Sequence, residues 1–277
     1  MGNGFCLPLI KWAGGKRQLI EEIRKRMPKE FGTYREPFLG GGALFFELNP
    51  EKAVLNDSNP QLMGTYRQVS ENPTALRGIL DEIKAEYAAF GTQEEKDSFY
   101  YGKRSRYNEL IVSNEQTTET AALFIFLNKT AFNGVYRVNS EGLFNVPTSH
   151  RKSVELYDAE NFRKASEALK NAELLCGDFE DACAGAEEGD FVFFDSPYYE
   201  TFDGYRKGGF SEADHRRLAV LFRTLSEKGV RCMLTNSDEE FVKELYSGFR
   251  IETVEVKRMV NRNASGRTGR EIIVTGY

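Results

Sequence analysis

FVFFDSPY, residues 191–198, decides the fold of this chain, because an apolar run ends there on a carboxylate and a proline turn. A short apolar run bounded by turn residues is typical of a buried strand. In an open α/β sheet, ligands bind outside the carboxyl ends of the strands, so Asp195 would face a ligand rather than the core. The alternative interpretation is a strand that simply ends in an Asx-turn, which such residues often form. The rest of the chain has to decide between the two.

Polar residues follow three other runs that predict strands. Asp57 follows the run 52–56, Asp178 closely follows 172–176, and Asn236 closely follows 230–234. The carboxyl ends of parallel strands lie at one edge of a sheet. The sequence therefore predicts a ligand crevice where Asp57, Asp178, Asp195 and Asn236 converge.

The first half of the pattern resembles a nucleotide-binding unit. A strand over 34–39 leads into the glycines 40–42, a helix over 43–48 and the strand that ends at Asp57. An acid at the end of a second strand suits the two hydroxyls of a ribose. Phe45 stands where the third glycine of Gly-x-Gly-x-x-Gly belongs, which argues against NAD or FAD. A cofactor with a ribose but no pyrophosphate, S-adenosylmethionine, fits better.

The middle of the chain differs from both ends. Residues 59–165 predict helices broken by polar loops, and Asn133-Gly134 predicts a β-hairpin whose strand begins at Val135. We therefore expect a catalytic domain from residues 1–58 and 166–277, with a mainly helical domain from 59–165 between them. The other predicted elements are helices over 19–27, 211–228 (with Ser211 and Asp214 as a capping box) and 239–246, and strands over 250–260 and 271–277.

Composition bounds the class of protein. The 277 residues are 40% hydrophobic and 29% charged, as is usual for a soluble protein. The four cysteines are scattered and only two histidines occur, so we expect no metal site and a reducing cytoplasm. No apolar run reaches the roughly 18 residues that a membrane span needs. Nothing in the sequence implies an oligomer.

Charge argues mildly against a nucleic-acid partner, because the net charge is −5 and phosphate contacts supply most non-specific affinity. The charges are not spread evenly along the chain, because residues 257–270 contain five basic side chains and no acidic one. Any DNA binding has to come from such a local basic surface.

Seven segments together resemble the ordered motifs of the Dam-type, D12 class, α-group DNA adenine methyltransferases, over nearly the whole chain. They are KWAGGK (11–16), EPFLGGG (36–42), ND (56–57), FNGVYRVN (132–139), FNVP (144–147), GDF (177–179) and DSPY (195–198). The resemblance implies a Rossmann-like S-adenosylmethionine-dependent methyltransferase sheet with an inserted, mainly helical target-recognition domain that contains a β-hairpin. The implied substrate is double-stranded DNA, with GATC as the usual site of the family.

The resemblance also implies three sets of functional residues. The catalytic set is Asp195, Ser196, Pro197 and Tyr198. The cofactor set is Trp12, Lys16, Phe38, Gly40, Gly42, Asp57, Asp178, Phe179 and Asp195. The DNA-binding set is Lys11, Phe132, Asn133, Val135, Arg137 and Pro147. In these roles Arg137 and Lys11 would each read a guanine, Phe132 would act as a wedge, and Tyr198 would stack on a flipped adenine.

Ser196 departs from the family pattern, since proline is usual at that position. Serine supplies the same backbone carbonyl but does not fix φ. A methyltransferase-like protein that binds DNA without turnover therefore stays an alternative. Transfer to the 4-amino group of cytosine is another, disfavoured because that group commonly has serine where Asp195 stands. A nicotinamide-dependent dehydrogenase is weakened by the glycine mismatch. Whether a restriction nuclease accompanies the enzyme is left open.

Overall fold

A central sheet organises the chain in the computed structural model, which describes residues 5–14, 19–199, 209–257 and 268–277. Within those ranges the sheet has seven strands in the order β3-β2-β1-β4-β5-β7-β6. The strands are β1 (Tyr34–Glu36), β2 (Ala53–Asn56), β3 (Ala172–Leu175), β4 (Phe191–Phe194), β5 (Arg231–Ser237), β6 (Arg250–Lys257) and β7 (Thr268–Thr275). β1 to β5 pair in parallel, and β7 is antiparallel to both β5 and β6. The predicted α/β class with a mostly parallel sheet is confirmed.

The order of the strands reverses between β1 and β4. The chain runs outward from β1 through β2 to β3, then returns to add β4 on the other side of β1. A reversal of this kind opens a gap between neighbouring connections at the carboxyl edge of the sheet. Asp195 directly follows β4 and therefore lies at this edge.

Ten α-helices cover the sheet and build the middle of the chain, counted over the described residues. They are α1 (Ile20–Arg26), α2 (Ala43–Leu48), α3 (Pro60–Glu71), α4 (Pro73–Ala89), α5 (Gln93–Val112), α6 (Thr118–Thr130), α7 (Ala159–Lys170), α8 (Phe179–Cys183), α9 (Glu212–Glu227) and α10 (Glu240–Leu245). The predicted capping box of α9 is confirmed, because Ser211 and Asp214 each bond the other's backbone N–H. Residues 258–260, which end the strand predicted over 250–260, lie outside the described ranges.

The core has two parts, one on each face of the sheet. In β4, Phe191 and Phe193 join one apolar cluster, and Val192 and Phe194 join the other. This alternation follows from the period of two in a strand, and burial on both faces explains why β4 is apolar throughout. The first cluster continues into the buried side chains of α3 to α7. Side chains on both sides of residues 59 and 165 belong to this one cluster. The domain boundaries predicted at those residues therefore stay predictions.

The segment 131–149, which we call the recognition segment, differs from the prediction. Asn133 and Gly134 form a tight turn with φ of 56° and 64°, as such a pair favours. That turn is a 3₁₀ helix, Phe132–Gly134, and no strand ladder follows it. The described backbone forms only isolated bridges, Ala131 with Thr148 and Val138 with Phe144. Backbone hydrogen bonds such as Asn145 N–H to the Arg137 carbonyl at 3.2 Å do join the two arms of the segment. They form no continuous ladder, so the β-hairpin is not confirmed.

Candidate active site

The loop 195–199, which we call the catalytic loop, leaves β4 at the carboxyl edge and is bound by the end of β5. Asp195 is half-buried, and its Oδ1 accepts a hydrogen bond from Thr235 Oγ1 at 3.0 Å. Thr235 is fully buried in β5. One carboxylate oxygen is thereby oriented by the sheet, which suits a group that has to present an acceptor to a ligand.

Ser196 is buried, with 2% of its surface exposed. Its Oγ accepts a hydrogen bond from Asn236 Nδ2 at 3.1 Å. Asn236 Oδ1 also accepts from the backbone N–H of Tyr199 at 3.1 Å. One amide side chain of β5 therefore holds both ends of the turn that contains Pro197.

Tyr198 is partly buried, and its hydroxyl donates to Glu271 Oε2 of β7 at 2.5 Å. Burial raises the pKa of Tyr198 well above its usual value, and the nearby carboxylates of Asp195 and Glu271 raise it further. The phenol therefore stays protonated and can keep donating to Glu271. This bond fixes the direction of the ring that is predicted to stack on a base.

The glycine turn after β1 is bound to the end of β2. Gly40 N–H donates to Asp57 Oδ2 at 2.9 Å, and Tyr66 Oη donates to the carbonyl of Gly40 at 2.9 Å. Gly40 has φ of 49°, and an added Cβ would lie 2.8 Å from Trp12 Cδ1. Gly42 has φ of 65°, and a Cβ there would lie 3.0 Å from a ring carbon of Phe46. Only glycine fits both positions, because each has a positive φ and lies against a packed ring.

Trp12 lies against this turn and also reaches the recognition segment. Its ring stacks on Tyr136 with centroids 5.6 Å apart, and Tyr136 in turn packs on Phe144. The predicted cofactor residue Trp12 and the predicted DNA-binding segment thus share one aromatic column. Lys16, the other predicted cofactor residue of this motif, lies outside the described residues.

Asp178 and Phe179 lie at the start of α8, beyond β3. Asp178 caps that helix and also accepts from Arg217 Nη2 at 2.8 Å. The Arg217 guanidinium lies over the Phe179 ring, 4.8 Å from its centroid. Phe179 is buried beneath Phe38, whose ring stacks on it at 5.4 Å. Phe38, which is half-buried, is therefore the ring of this pair that has surface left for a ligand.

Asn56, the last residue of β2, joins the two predicted cofactor motifs. Its Nδ2 donates to the carbonyls of Pro37 at 2.9 Å and Gly177 at 3.2 Å, and its Oδ1 accepts from Gly177 N–H at 3.0 Å. The segments around Phe38 and Asp178 are therefore neighbours at the carboxyl edge, as the convergence of strand ends predicts.

Every residue of the predicted DNA-binding set is exposed. The six are Lys11, Phe132, Asn133, Val135, Arg137 and Pro147. Phe132 has 56% of its surface exposed. The neighbours Gly134 and Tyr136 are buried, so the segment turns alternate residues outward.

Asn128 at the end of α6 connects this surface to the N-terminal motif. Its Oδ1 accepts from Lys11 N–H at 2.9 Å, and its Nδ2 donates to the carbonyls of Lys11 at 2.8 Å and Gly134 at 3.4 Å. Arg137 is oriented within the segment, because its Nε donates to Asn145 Oδ1 at 2.8 Å. The structure thus brings Lys11 and the turn at Gly134 together and leaves the Arg137 side chain facing solvent.

The structure adds four residues that the sequence did not assign to the site, namely Thr235, Glu271, Arg217 and Asn128. Asn236 was noticed only as a polar strand end. Each acts through a residue that was predicted. Thr235 could have been found from the sequence, because it directly precedes Asn236 at the end of β5. No sequence signal pointed to Glu271, Arg217 or Asn128, which are far from the motifs along the chain.

The described residues contain neither a metal-binding cluster nor a membrane-spanning helix. No group of three or more His, Cys, Asp or Glu side chains there could hold a metal ion. None of the described helices is long and apolar enough to cross a membrane.

Comparison with known proteins places these motifs in a family. The family model for D12 class N6 adenine-specific DNA methyltransferases matches residues 12–260. A protein of Lactococcus lactis subsp. cremoris named Type II methyltransferase M1.LlaDCHI is 40% identical over 279 residues, which span 98% of this chain and 95% of the relative. Type II methyltransferase M.MjaIII of Methanocaldococcus jannaschii is 37% identical, over 98% of this chain and 99% of its own length.

A third relative carries a name that states its reaction. It is the DNA adenine methylase of Haemophilus influenzae, which is 32% identical over 94% of this chain and 90% of its own length. The family model and these full-length relatives confirm the family inferred from the motifs. This chain belongs to the D12 class of N6 adenine-specific DNA methyltransferases.

Proposed function

We propose that this protein transfers a methyl group from S-adenosylmethionine to the 6-amino group of adenine in double-stranded DNA, within GATC, in the cytoplasm. The observation that carries the proposal is the Asp195 carboxylate, which Thr235 orients at the strand-order reversal of the sheet. The glycine turn at Gly40 lies at the same edge.

The residues around the glycine turn fit the proposed cofactor. S-adenosylmethionine supplies a methyl group on a cationic sulfonium centre. Asp57 Oδ2 accepts from Gly40 N–H, which supports a position for this carboxylate beside the glycine turn, and we propose that it binds the ribose hydroxyls. Trp12 fills the space that a Cβ on Gly40 would occupy, so it can pack beside the ligand. Phe38 offers its exposed surface to the adenine, while Phe179 supports Phe38 from below.

Asp178 takes an indirect part in this arrangement. Its Oδ1 is bonded to Arg217 and to the N–H of Glu180, so it fixes the start of α8 beneath the cofactor site. We propose that the carboxylate still accepts a bond from the adenine amino group through its remaining lone pairs, since an ionised carboxylate has about four acceptor sites.

The catalytic loop supplies acceptors for the target amine. The 6-amino nitrogen of adenine is a poor nucleophile, because its lone pair is delocalised into the ring. The Asp195 carboxylate and the Ser196 carbonyl can accept its two hydrogens and favour the tetrahedral geometry that attack requires. The amine nitrogen would displace the sulfur in line, so that the nitrogen–carbon bond forms as the carbon–sulfur bond breaks and S-adenosylhomocysteine leaves as a neutral thioether. The nitrogen would then give one proton to solvent. Positioning of the reacting atoms supplies most of the rate enhancement.

Reaching a base inside a duplex requires that it be flipped out of the stack. Tyr198 is held by Glu271 and can stack on the flipped adenine, and Phe132 is exposed and can fill the space that the base leaves. Arg137 carries a guanidinium suited to a guanine edge, the commonest specific contact in the major groove. GATC contains a guanine beside the target adenine, which matches this assignment.

The test is methylation of unmethylated duplex DNA. The purified protein is incubated with that DNA and S-adenosylmethionine, and methylated adenines are mapped and compared with protection against a nuclease that cuts only unmethylated GATC. N6-methyladenine confined to GATC supports the whole proposal. N6-methyladenine at another sequence would overturn GATC alone, and 4-methylcytosine would overturn adenine as the target.

A role beside a restriction nuclease is a second proposal, which the names of two relatives as Type II methyltransferases favour. Full protection of every site in the nuclease assay is the expected outcome for such an enzyme. Methylation that leaves a large fraction of sites unprotected at completion would contradict it.

A thermal-shift comparison separates the cofactor classes. A ligand that binds the native state raises its stability. We expect S-adenosylmethionine to raise the Tm and NAD to leave it unchanged; the reverse pattern would overturn the proposed donor.

A further inference from the structure

The buried end of β5 holds the catalytic loop through the side-chain amide of Asn236, whose Oδ1 also accepts from Ser237 N–H at 2.8 Å. Asn236 has 1% of its surface exposed and Ser196 has 2%. Asn236 Nδ2 donates to Ser196 Oγ at 3.1 Å, and its Oδ1 accepts from Tyr199 N–H at 3.1 Å. The two bonds fall on either side of Pro197 and Tyr198, so they span the turn.

A serine leaves the backbone freer at this position than a proline would, because proline alone fixes φ. A loop that presents two acceptors to one amine has to be rigid, since misplacement of reacting atoms lowers the rate. Rigidity at Ser196 therefore has to come from a contact. Its hydroxyl is buried and bonded to the sheet, where removal of either partner would leave a buried polar group unsatisfied.

Resting on the proposed function, we propose that Ser196 and Asn236 are positioning residues for methyl transfer. Their hydrogen bond performs the role of a proline by fixing the turn, so that Asp195 and the Ser196 carbonyl keep the orientation that the target amine needs. Neither side chain has to touch the cofactor or the DNA.

The first test measures the rate of one turnover at saturating S-adenosylmethionine and duplex DNA, together with the Kd of each. We expect Ser196→Ala to lower the rate about tenfold. This loss is smaller than the roughly 100-fold loss that a misplacement of 1 Å causes. Both Kd values should change less than about twofold. Ser196→Pro restores stiffness without the hydroxyl and is expected to stay within about threefold of the wild type. Ser226→Ala, which removes a hydroxyl bonded to the Phe222 carbonyl and to the Cys232 thiol, both away from the catalytic loop, is the matched control and is expected to leave the rate unchanged.

A double-mutant cycle tests whether the two side chains act together. Asn236→Ala also loses the bond to Tyr199 N–H, so its rate should fall further than that of Ser196→Ala. In the Asn236→Ala background, Ser196→Ala is expected to cost almost nothing more, because the shared bond is already gone.

Four results would overturn the inference. They are a Ser196→Ala rate equal to the wild type, a loss that appears in the Kd values or the Tm instead of the rate, additive losses in the cycle, and a Ser196→Pro variant as slow as Ser196→Ala. Each of these four leaves methyl transfer by the wild type in place and so upholds the proposed function. A wild-type protein that binds both ligands and transfers no methyl would overturn the proposed function itself.

Discussion

The catalytic loop and the recognition segment are held in place by different means. In the catalytic loop, buried side chains at the end of β5 bind side chains and backbone of the loop itself, as with Thr235 on Asp195 and Asn236 on Ser196. In the recognition segment, helix side chains bind mainly backbone groups, as with Asn108 of α5 on both the N–H and the carbonyl of Phe144. Its outward side chains, Phe132 among them, are left exposed.

The difference matches what each region is proposed to do. A reaction needs functional groups fixed before the substrate arrives, whereas recognition of a duplex needs a fixed backbone that presents side chains able to settle on base edges. We expect changes in the catalytic loop to act on the rate, and changes in the recognition segment to act on the choice of site.

Asp195→Asn should have the largest effect, because it keeps the shape of the side chain and removes the charge that holds the amine. We expect the single-turnover rate to fall by about 10²–10⁴-fold while DNA binding persists. The measurement is a quenched single-turnover assay beside a DNA-binding titration. Retention of the wild-type rate would remove Asp195 from the chemistry.

Arg137→Ala should act on specificity and leave the pocket intact. We expect a loss of about 1–3 kcal/mol in discrimination at one base pair of the site, with slower transfer on the cognate sequence only. The measurement is kcat/KM on the cognate duplex and on duplexes changed at one base pair.

The matched control is Arg163→Ala, an exposed arginine of α7 that pairs with Glu160 and Glu167. It should leave discrimination unchanged. An equal loss on all sequences for Arg137→Ala would instead make Arg137 a phosphate contact.

The titration of His215 reports on the burial of the core beside the catalytic loop. It is 2% exposed beneath Phe210 and Tyr199, and burial lowers its pKa to about 4. In the unfolded chain the imidazole has a pKa of about 6.5, so it binds a proton more readily there than in the folded protein. The contribution of neutral His215 to the free energy of unfolding is therefore fully present above pH 6.5 and falls as the pH drops towards 4. Between pH 7 and pH 5 this group should reduce the free energy of unfolding by about 2 kcal/mol.

Denaturant unfolding of the wild type and of His215→Phe at both pH values checks this. The variant should lose about 2 kcal/mol less than the wild type over the same interval. Equal losses in the two proteins would show that His215 titrates normally in the folded state.

Trp12 lies where the two regions meet and should report on both with the smallest perturbation. It is the only tryptophan in the chain, so intrinsic fluorescence comes from one site. We expect S-adenosylmethionine to change its emission without any change in fold, because the ring lies beside Gly40. Trp12→Phe is the control for background; an unchanged wild-type emission at saturating cofactor would place the ligand away from Trp12.

The sequence predicted the strands and the carboxyl edge well because both depend on local pattern. The predicted strand over 191–194 matches β4 fully, and its apolar run reflects burial on both faces. The recognition segment was harder, because its course depends on contacts with helices distant in the chain. Asn133-Gly134 forms the expected tight turn, and the backbone after it forms only isolated bridges. Asn128 and Asn108 bind backbone groups of the segment from the neighbouring helices, which the local sequence does not reveal.

The site residues divide in the same way. Motifs predicted the residues that line the edge, such as Asp57 and Asp195, and the structure brings them to it. The side chains that hold them, Glu271 and Arg217, come from elements far along the chain and follow only from three-dimensional packing.

The most direct test uses S-adenosylmethionine with a deuterated methyl group and mass spectrometry of the nucleosides from a duplex that contains one GATC. We expect a single deuterated methyl on the 6-amino group of the adenine, present with the wild type and lost with Asp195→Asn. A label on cytosine, or a label on adenine that persists with Asp195→Asn, would contradict it.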